Sequence, residues 1–411
     1  MADRKSWLEM VLKRKTFNDS PIKVIAIEDA SGVVGKGENY LSEIERVKGT
    51  VLLGSGKTKK VSLIIKNQHV TEQMKKMSLE LGVFVREIIM YRDILPKMED
   101  LLAEIDDTED IMWGRCYDYR LYDQLVFEDL SESGYRMADR KKQLGLQSTL
   151  LVVKNLAKFH ALTRILLDRG EIPMDIFGKH VWSRNPETNI KMVTDSAERL
   201  IKFMKTWGDE WQEAAERLQK ALPVLGKRLV EELEAKPEEF SVLCHGDCWT
   251  NNMLFKGDDI ENPTSVKFLD LQVCFVGSPV RELYYFLLSS VRLEVHKQHN
   301  DQILQAYVDS LKHHLLRFQY EGNIPDLDSI KELFRKKLIF SLENAFGIIP
   351  IATGETQDIP DMEEIAKAYA EAMEKGGKMP EGVWDLNSYL SVTGMNKVKD
   401  IVKNAMECGL I

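Results

Sequence analysis

The residues best suited to chemistry lie in one polar stretch, His245-Gly246-Asp247-Cys248-Trp249-Thr250-Asn251-Asn252. It is turn-prone, and it sits between the apolar pair Val242-Leu243 and the run Met253-Leu254-Phe255. Asn252 comes five residues after Asp247, and Asp270 ends the next apolar run. Phosphoryl transfer to an alcohol needs an aspartate that accepts a hydroxyl proton, and an asparagine and a second aspartate that hold Mg²⁺. The oxygen donors of Asn252 and Asp270 suit Mg²⁺ because it is a hard cation. On these residues alone, a loop whose polar side chains only make structural hydrogen bonds is an equal alternative.

The complementary half of such a site would lie earlier in the chain. Lys66 closes the apolar run Val61-Ser62-Leu63-Ile64-Ile65. A lysine there is ordinarily a solvated edge residue, whereas a kinase uses it to pair the α- and β-phosphates of ATP. That role needs a carboxylate from a nearby helix. Glu87 fits, because it borders the face made by Phe84, Ile88 and Tyr91 at helical spacing. A carboxylate on that border is costly unless a cation meets it. Its alternative is a local surface pair with Tyr91 or Arg92, and Arg86 reads as solvated. Upstream, residues 32–42 form a candidate phosphate-covering loop, with Gly37, Asn39 and Ser42 as its contacts. Glycines there permit close backbone approach to phosphate oxygens. Phe127-Glu128-Asp129-Leu130 falls where the two halves meet. Backbone groups of Glu128 and Leu130 would face the adenine edge in a two-lobed kinase, and an acidic connector is the equal alternative.

Three other patterns lead elsewhere. Gly54-Ser55-Gly56-Lys57-Thr58 resembles the end of a P-loop, but Val51 stands where the first glycine belongs, and a β-like run follows. It reads as a hairpin turn. Cys244, His245 and Cys248 lack the second Cys/His pair that zinc needs. No G-x-S-x-G elbow exists for a Ser-His-Asp hydrolase.

These residues must be held by two kinds of element. Before about residue 130, β-like runs dominate: 47–53 and 61–65 flank the hairpin turn, and 111–117 pairs with 121–127. One helix carries Phe84, Ile88, Tyr91 and Leu95 and is expected to stop at Pro96. Beyond that point helical patterns prevail, including 147–166 and long stretches from Glu282 onward. Two short strands, 253–255 and 266–269, flank a polar loop at 256–265. The division expected is 1–127 for nucleotide phosphates and 128–411 for the catalytic loop, metal site and acceptor.

Composition agrees with a globular protein. The 411 residues are 44% hydrophobic and 29% charged, with a net charge of −9, which argues against nucleic acid and anionic membrane as partners. Five cysteines without pairing pattern fit a reducing, cytoplasmic setting. The N-terminus lacks a signal-peptide core, and no window is apolar enough for a membrane span. No obligate protein partner is expected.

Taken together the motifs resemble the ecdysteroid-kinase-like family of arthropods, also called CHK-kinase-like, related to choline kinases and aminoglycoside phosphotransferases. The resemblance runs through Gly37-Glu38-Asn39-Tyr40 and Ser42, Lys66, Phe84-Val85-Arg86-Glu87, residues 126–130, and Leu156-Ala157-Lys158-Phe159-His160-Ala161. It continues through His245 to Asn252, Asp270-Leu271-Gln272 and Gly277-Ser278-Pro279. It implies an α+β, protein-kinase-like two-lobed fold, with a small β-rich N-lobe and a large, mostly helical C-lobe. It also implies transfer of the ATP γ-phosphate to a small-molecule hydroxyl, on an ecdysteroid or a xenobiotic alcohol or glycoside, with a detoxification role proposed for many members. Asp247 would be the base, Asn252 and Asp270 the Mg²⁺ ligands, and Lys66 with Glu87 the phosphate-positioning pair.

Two departures stand out. Leu271 replaces the family's usual Phe, and Glu282 replaces the Asp that would brace the catalytic loop. Glu282 motivates an alternative, a catalytically silent protein that binds nucleotide or hormone. A protein kinase is disfavoured because Gly277-Ser278-Pro279 follows Asp270 so closely. Trp182, Trp207, Trp211 and Trp384 are compatible with an apolar acceptor pocket, but such residues are more often core.

Overall fold

Alternating burial along the N-terminal strands builds a five-stranded antiparallel sheet. The computed structural model of the chain describes residues 2–15, 23–28, 42–68, 71–184, 186–236, 238–355, 367, 371 and 390–411. Helix α1 (Ala2–Lys15) precedes strands β1 (Lys23–Glu28), β2 (Ser42–Leu52) and β3 (Thr58–Gln68). Helices α2 (Glu72–Leu81), α3 (Val83–Ile89) and α4 (Leu95–Glu104) follow, then β4 (Cys116–Arg120) and β5 (Gln124–Glu128). The strand order is β1-β2-β3-β5-β4. Leu53 and Gly56 close the β2–β3 hairpin turn, so the P-loop-like stretch is a turn as expected.

Side chains alternate across a strand, and that alternation aims Lys66. Leu63 and Ile65 of β3 join Val126 in a core covered by Leu8, Val11 and Leu12 of α1. Lys66 pairs in register with Leu125, which packs on the other face with Val83, Phe84 and Ile88 of α3. The lysine is thereby directed at α3.

Two boundaries differ from the sequence expectation. The helix does not stop at Pro96. A single π-turn at Met90–Ile94 separates α3 from α4, and Pro96 sits in the first turn of α4, where a missing N–H costs nothing. The second strand pair lies later than expected, because Tyr122 turns the chain at φ 74°. Residues near Trp113 instead reach the C-terminal lobe, where Trp113 bridges to Phe268.

The rest of the chain is mainly helical: β6 (Arg136–Met137), α5 (Leu146–Asp168), α6 (Met174–Phe177), α7 (Pro186–Met204) and α8 (Gln212–Leu233). Strands β7 (Val242–Cys244), β8 (Met253–Lys256), β9 (Ser265–Phe268) and β10 (Phe275–Gly277) come next. Helices α9 (Pro279–Ser290), α10 (Leu293–Arg317), α11 (Leu327–Lys336), α12 (Ile339–Phe346), α13 (Ile348–Thr353) and α14 (Val392–Glu407) complete the described chain. The large core runs through α5, α8, α9, α10 and α12, and Leu95, Met98, Leu101 and Leu102 of α4 join it. The α+β, two-lobed arrangement expected from the sequence is thus the one observed. Trp211 is buried and Trp207 packs on the same core; Trp384 lies outside the described residues. Among the described residues no helix is long and apolar enough to cross a membrane, and the five thiols are free.

Candidate active site

The loop from β7 to β8 is shaped by its own residues. Gly246 has φ 90°, and a Cβ there would lie 2.3 Å from the carbonyl oxygen of Val273, so only glycine fits. The His245 ring reaches the Leu269 carbonyl at 2.8 Å through Nε2, and its Nδ1 accepts from the Asp247 N–H at 3.3 Å. In this pair of bonds Nδ1 is the acceptor and Nε2 the donor. The Leu269 N–H donates to the Asn252 carbonyl at 2.9 Å. The loop is therefore stitched to the residue just before Asp270.

Asp247 is held by both oxygens. Asn252 Nδ2 donates to Oδ2 at 2.8 Å and to the Asp247 carbonyl at 2.9 Å. The Tyr285 hydroxyl donates to Oδ1 at 2.5 Å. Burial pushes the Asp247 carboxyl up, and Tyr285 and Asn252 pull against that while the nearby Asp270 adds to it. Both bonds from Asn252 use its amide nitrogen, which leaves the amide oxygen as the donor suited to a hard cation.

Across from this loop, Lys66 joins two carboxylates. Its Nζ lies 2.6 Å from Glu87 Oε2 and 2.5 Å from Asp270 Oδ1, with Gln272 Oε1 at 3.3 Å. Gln272 also donates to Asp270 Oδ2 at 3.1 Å. Burial works to lower the Lys66 amine, but Asp270 and then Glu87 hold it above its ordinary value. Burial pushes Glu87 up to about 7, against the pull of Lys66. Asp270 stands in the left-handed region at φ 63°, a conformation that costs an aspartate energy and is concentrated at functional sites.

Helix α9 braces the loop from below. Glu282 is fully buried. Its Oε1 accepts the Gly246 N–H at 2.7 Å, and its Oε2 accepts the His245 N–H at 3.0 Å and meets His160 Nε2 at 2.7 Å. His160 Nδ1 is in turn 2.8 Å from the Tyr307 hydroxyl. Burial works to raise the Glu282 carboxyl, but His160, His245 and the Gly246 N–H hold it below its ordinary value. One carboxylate thus spans three partners from two elements. His160, Cys244 and Glu282 also bring ligand-type atoms within 4.8 Å of one another, yet the Glu282 oxygens are already committed to the brace. Glu282→Asp is therefore expected to destabilise the protein by about 1–3 kcal/mol, because buried donors lose their acceptor. Urea unfolding measures this; an unchanged midpoint would mean that the loop follows the shorter side chain.

The sequence-derived candidates fall into three groups. Lys66, Glu87 and Asp270 are in direct contact, as are Asp247 and Asn252. Glu128, Leu130 and Ser42 lie apart from those contacts. Glu128 ends β5, where its N–H donates to the Arg115 carbonyl at 3.0 Å and its side chain accepts the Arg115 N–H at 2.7 Å. Leu130 is buried just beyond it, and Ser42 begins β2, buried and in register with Gln68. Gly37 and Asn39 lie outside the described residues. Leu271 is buried, as an apolar replacement should be.

Arg86 is a correction. It is not solvated but buried, donating to the carbonyls of Cys274 at 2.6 Å and Lys179 at 3.0 Å. Helix α3 is enclosed on several sides, so the polar face expected from periodicity does not meet water. Glu87 is likewise no surface residue, at 1% exposure, which removes its local-pair alternative.

Four polar partners carried no role in the sequence reading. Tyr285 lies three residues after Glu282, a spacing that puts both on one helix face. Gln272 and His160 stand inside matched motifs. Asp129 is a buried hub at the joint, accepting from Arg46 Nε at 2.7 Å and the Ser62 hydroxyl at 2.6 Å. It also accepts from the Ser131 N–H at 3.1 Å.

A profile of the ecdysteroid kinase-like family matches residues 36–320. The chain belongs to that family. Membership supports phosphotransferase activity in general for this ecdysteroid kinase-like protein. Solved structures resemble it distantly. The GDP complex of an aminoglycoside 2'-phosphotransferase-IIIa is 11% identical, covering 97% of this chain and 98% of its own, at a TM-score of 0.40. A choline/ethanolamine kinase family protein from Mesorhizobium loti is 12% identical over 92% and 93%, at 0.37. A microcompartment-associated aminopropanol kinase is 14% identical over 91% and 99%, at 0.37. No curated protein matches the chain.

Proposed function

We infer that this ecdysteroid kinase-like protein transfers the γ-phosphate of ATP to a hydroxyl of a small molecule. The observation that carries the reading is the convergence of Lys66, Glu87 and Asp270 from the N-terminal sheet, α3 and the strand end after β9. They converge beside a loop in which Asn252 grips Asp247. In this reading residues 1–127 hold the nucleotide phosphates and residues 128–411 carry the catalytic loop and the acceptor. Lys66, kept in place by Glu87, binds the α- and β-phosphates. Gly37, Asn39 and Ser42 cover them, and Glu128 and Leu130 meet the adenine. The acceptor oxygen bonds to the γ-phosphorus while the bond to the β–γ bridging oxygen breaks, and ADP leaves with that electron pair. The acceptor's proton passes to Asp247.

Asn252 and Asp270 offer the all-oxygen donor set that Mg²⁺ favours. When bound, the metal neutralises phosphate charge. The acceptor is an ecdysteroid or a xenobiotic alcohol or glycoside, a class supported by family membership alone. Free thiols fit a cytoplasmic setting.

The silent-binder alternative arose from Glu282. That side chain makes three contacts to its brace partners, which supports the reading of a braced, active loop. With Mg²⁺ and ATP, the purified protein is expected to release ADP in step with a phosphorylated product from at least one of a panel of sterols, plant glycosides and amino alcohols. Binding of ATP with no product across the panel would count for the binder.

A further inference from the structure

We propose that Tyr285 is a positioning residue that fixes the Asp247 carboxylate for the acceptor hydroxyl. The proposal rests on the reading of Asp247 as the base. Its ground is that Asp247 Oδ2 is tied to Asn252 at 2.8 Å while Oδ1 is tied to Tyr285 at 2.5 Å. The side chain is thus clamped from two elements, the loop itself and α9. An ionised carboxylate has about four lone-pair sites, so each oxygen keeps capacity for an incoming hydroxyl. What the two donors remove is rotation of the carboxylate about its own bonds.

Tyr285 is itself seated. The Arg281 guanidinium lies 5.2 Å from its ring centroid. Arg281 donates to the Gly246 carbonyl at 2.9 Å and to Glu343 Oε1 of α12 at 2.9 Å. Arg281 and Tyr285 are four residues apart and share a helix face. With Glu282 between them, α9 touches the catalytic loop at Gly246, at the His245 and Gly246 N–H groups and at Asp247. One helix therefore contacts both the backbone of the loop and one oxygen of the base, and Asn252 holds the other. Rate depends steeply on such placement, because a reacting group must be held near the attack geometry.

A double-substitution cycle separates this role from a merely structural one. Tyr285→Phe fills the same space at a half-buried position and is expected to unfold at the wild-type temperature. It should lower kcat by about ten- to hundredfold, the range expected for a hydrogen bond to a charged group, with the KM for ATP unchanged. In an Asp247→Asn background, followed with γ-labelled ATP, the same change should cost less than about twofold. Equal losses in both backgrounds, or no loss of kcat in the wild-type background, would overturn the proposal. Full activity of Asp247→Asn alone would instead remove the base, and that outcome is visible before Tyr285 is touched.

Discussion

Asp247→Asn is expected to lower kcat by about 10²–10⁴-fold, the usual contribution of a positioned general base, and to leave the KM for ATP near the wild-type value. The side chain contacts Asn252 and Tyr285 but not Lys66, so its loss should not loosen the cluster of Lys66, Glu87 and Asp270. An amide of the same size also preserves packing. Steady-state kinetics with a responsive alcohol gives both numbers. A rise in the KM for ATP with kcat unchanged would place Asp247 in nucleotide binding rather than proton transfer.

Lys66→Met is expected to act twice. It removes the cation between Glu87 and Asp270, with side chains only 5% and 1% exposed for Lys66 and Glu87. Breaking a buried ion pair by deleting one partner costs about 3–5 kcal/mol. The loss should fall at the lower end, because Glu87, already pushed up to about 7, can take a proton. Phosphate positioning would go as well, with turnover falling by about 10²–10³-fold, the scale for one preorganised donor. Adding Glu87→Gln should return part of the stability, since the more deeply buried of the two carboxylates that Lys66 meets is then neutral, and none of the activity. Urea unfolding and ATP turnover on the three proteins separate the two effects. A Lys66→Met protein of wild-type stability would show that the buried pair contributes little to the fold.

Much of the site could be read before the structure because its residues obey simple periods. Lys66 closes a strand whose alternation determines its face, and Glu87 keeps helical phase with Phe84, Ile88 and Tyr91. Both land where period predicts, in contact with each other. The spacing from Asp247 to Asn252 likewise placed two polar side chains in one loop. Arg86 escaped because helical phase assumes one wet face, and α3 is packed between the sheet and the segment around Cys274. Tyr285 escaped for a different reason. Its partner is far away in sequence, and a tyrosine in an apolar helix reads as core until the loop it faces is folded. Strand β10 is three residues long and owes its existence to its ladder with β7, which no local pattern announces. The π-turn before Pro96 is similar: proline is a stop signal in sequence, but here the helix restarts at it.

Glu282 shows how a departure from a family pattern can be resolved by geometry. In sequence the longer acid reads as a loosened brace. In the fold its two oxygens take the backbone N–H groups of His245 and Gly246 and meet His160 as well.

The most direct test of the account is to incubate wild-type and Asp247→Asn protein side by side with Mg²⁺, γ-labelled ATP and a panel of small alcohols, and to look for label in the acceptor. The account predicts label on an alcohol with the wild type and a loss of at least about a hundredfold in the variant. Label transfer of equal rate by both proteins would contradict it.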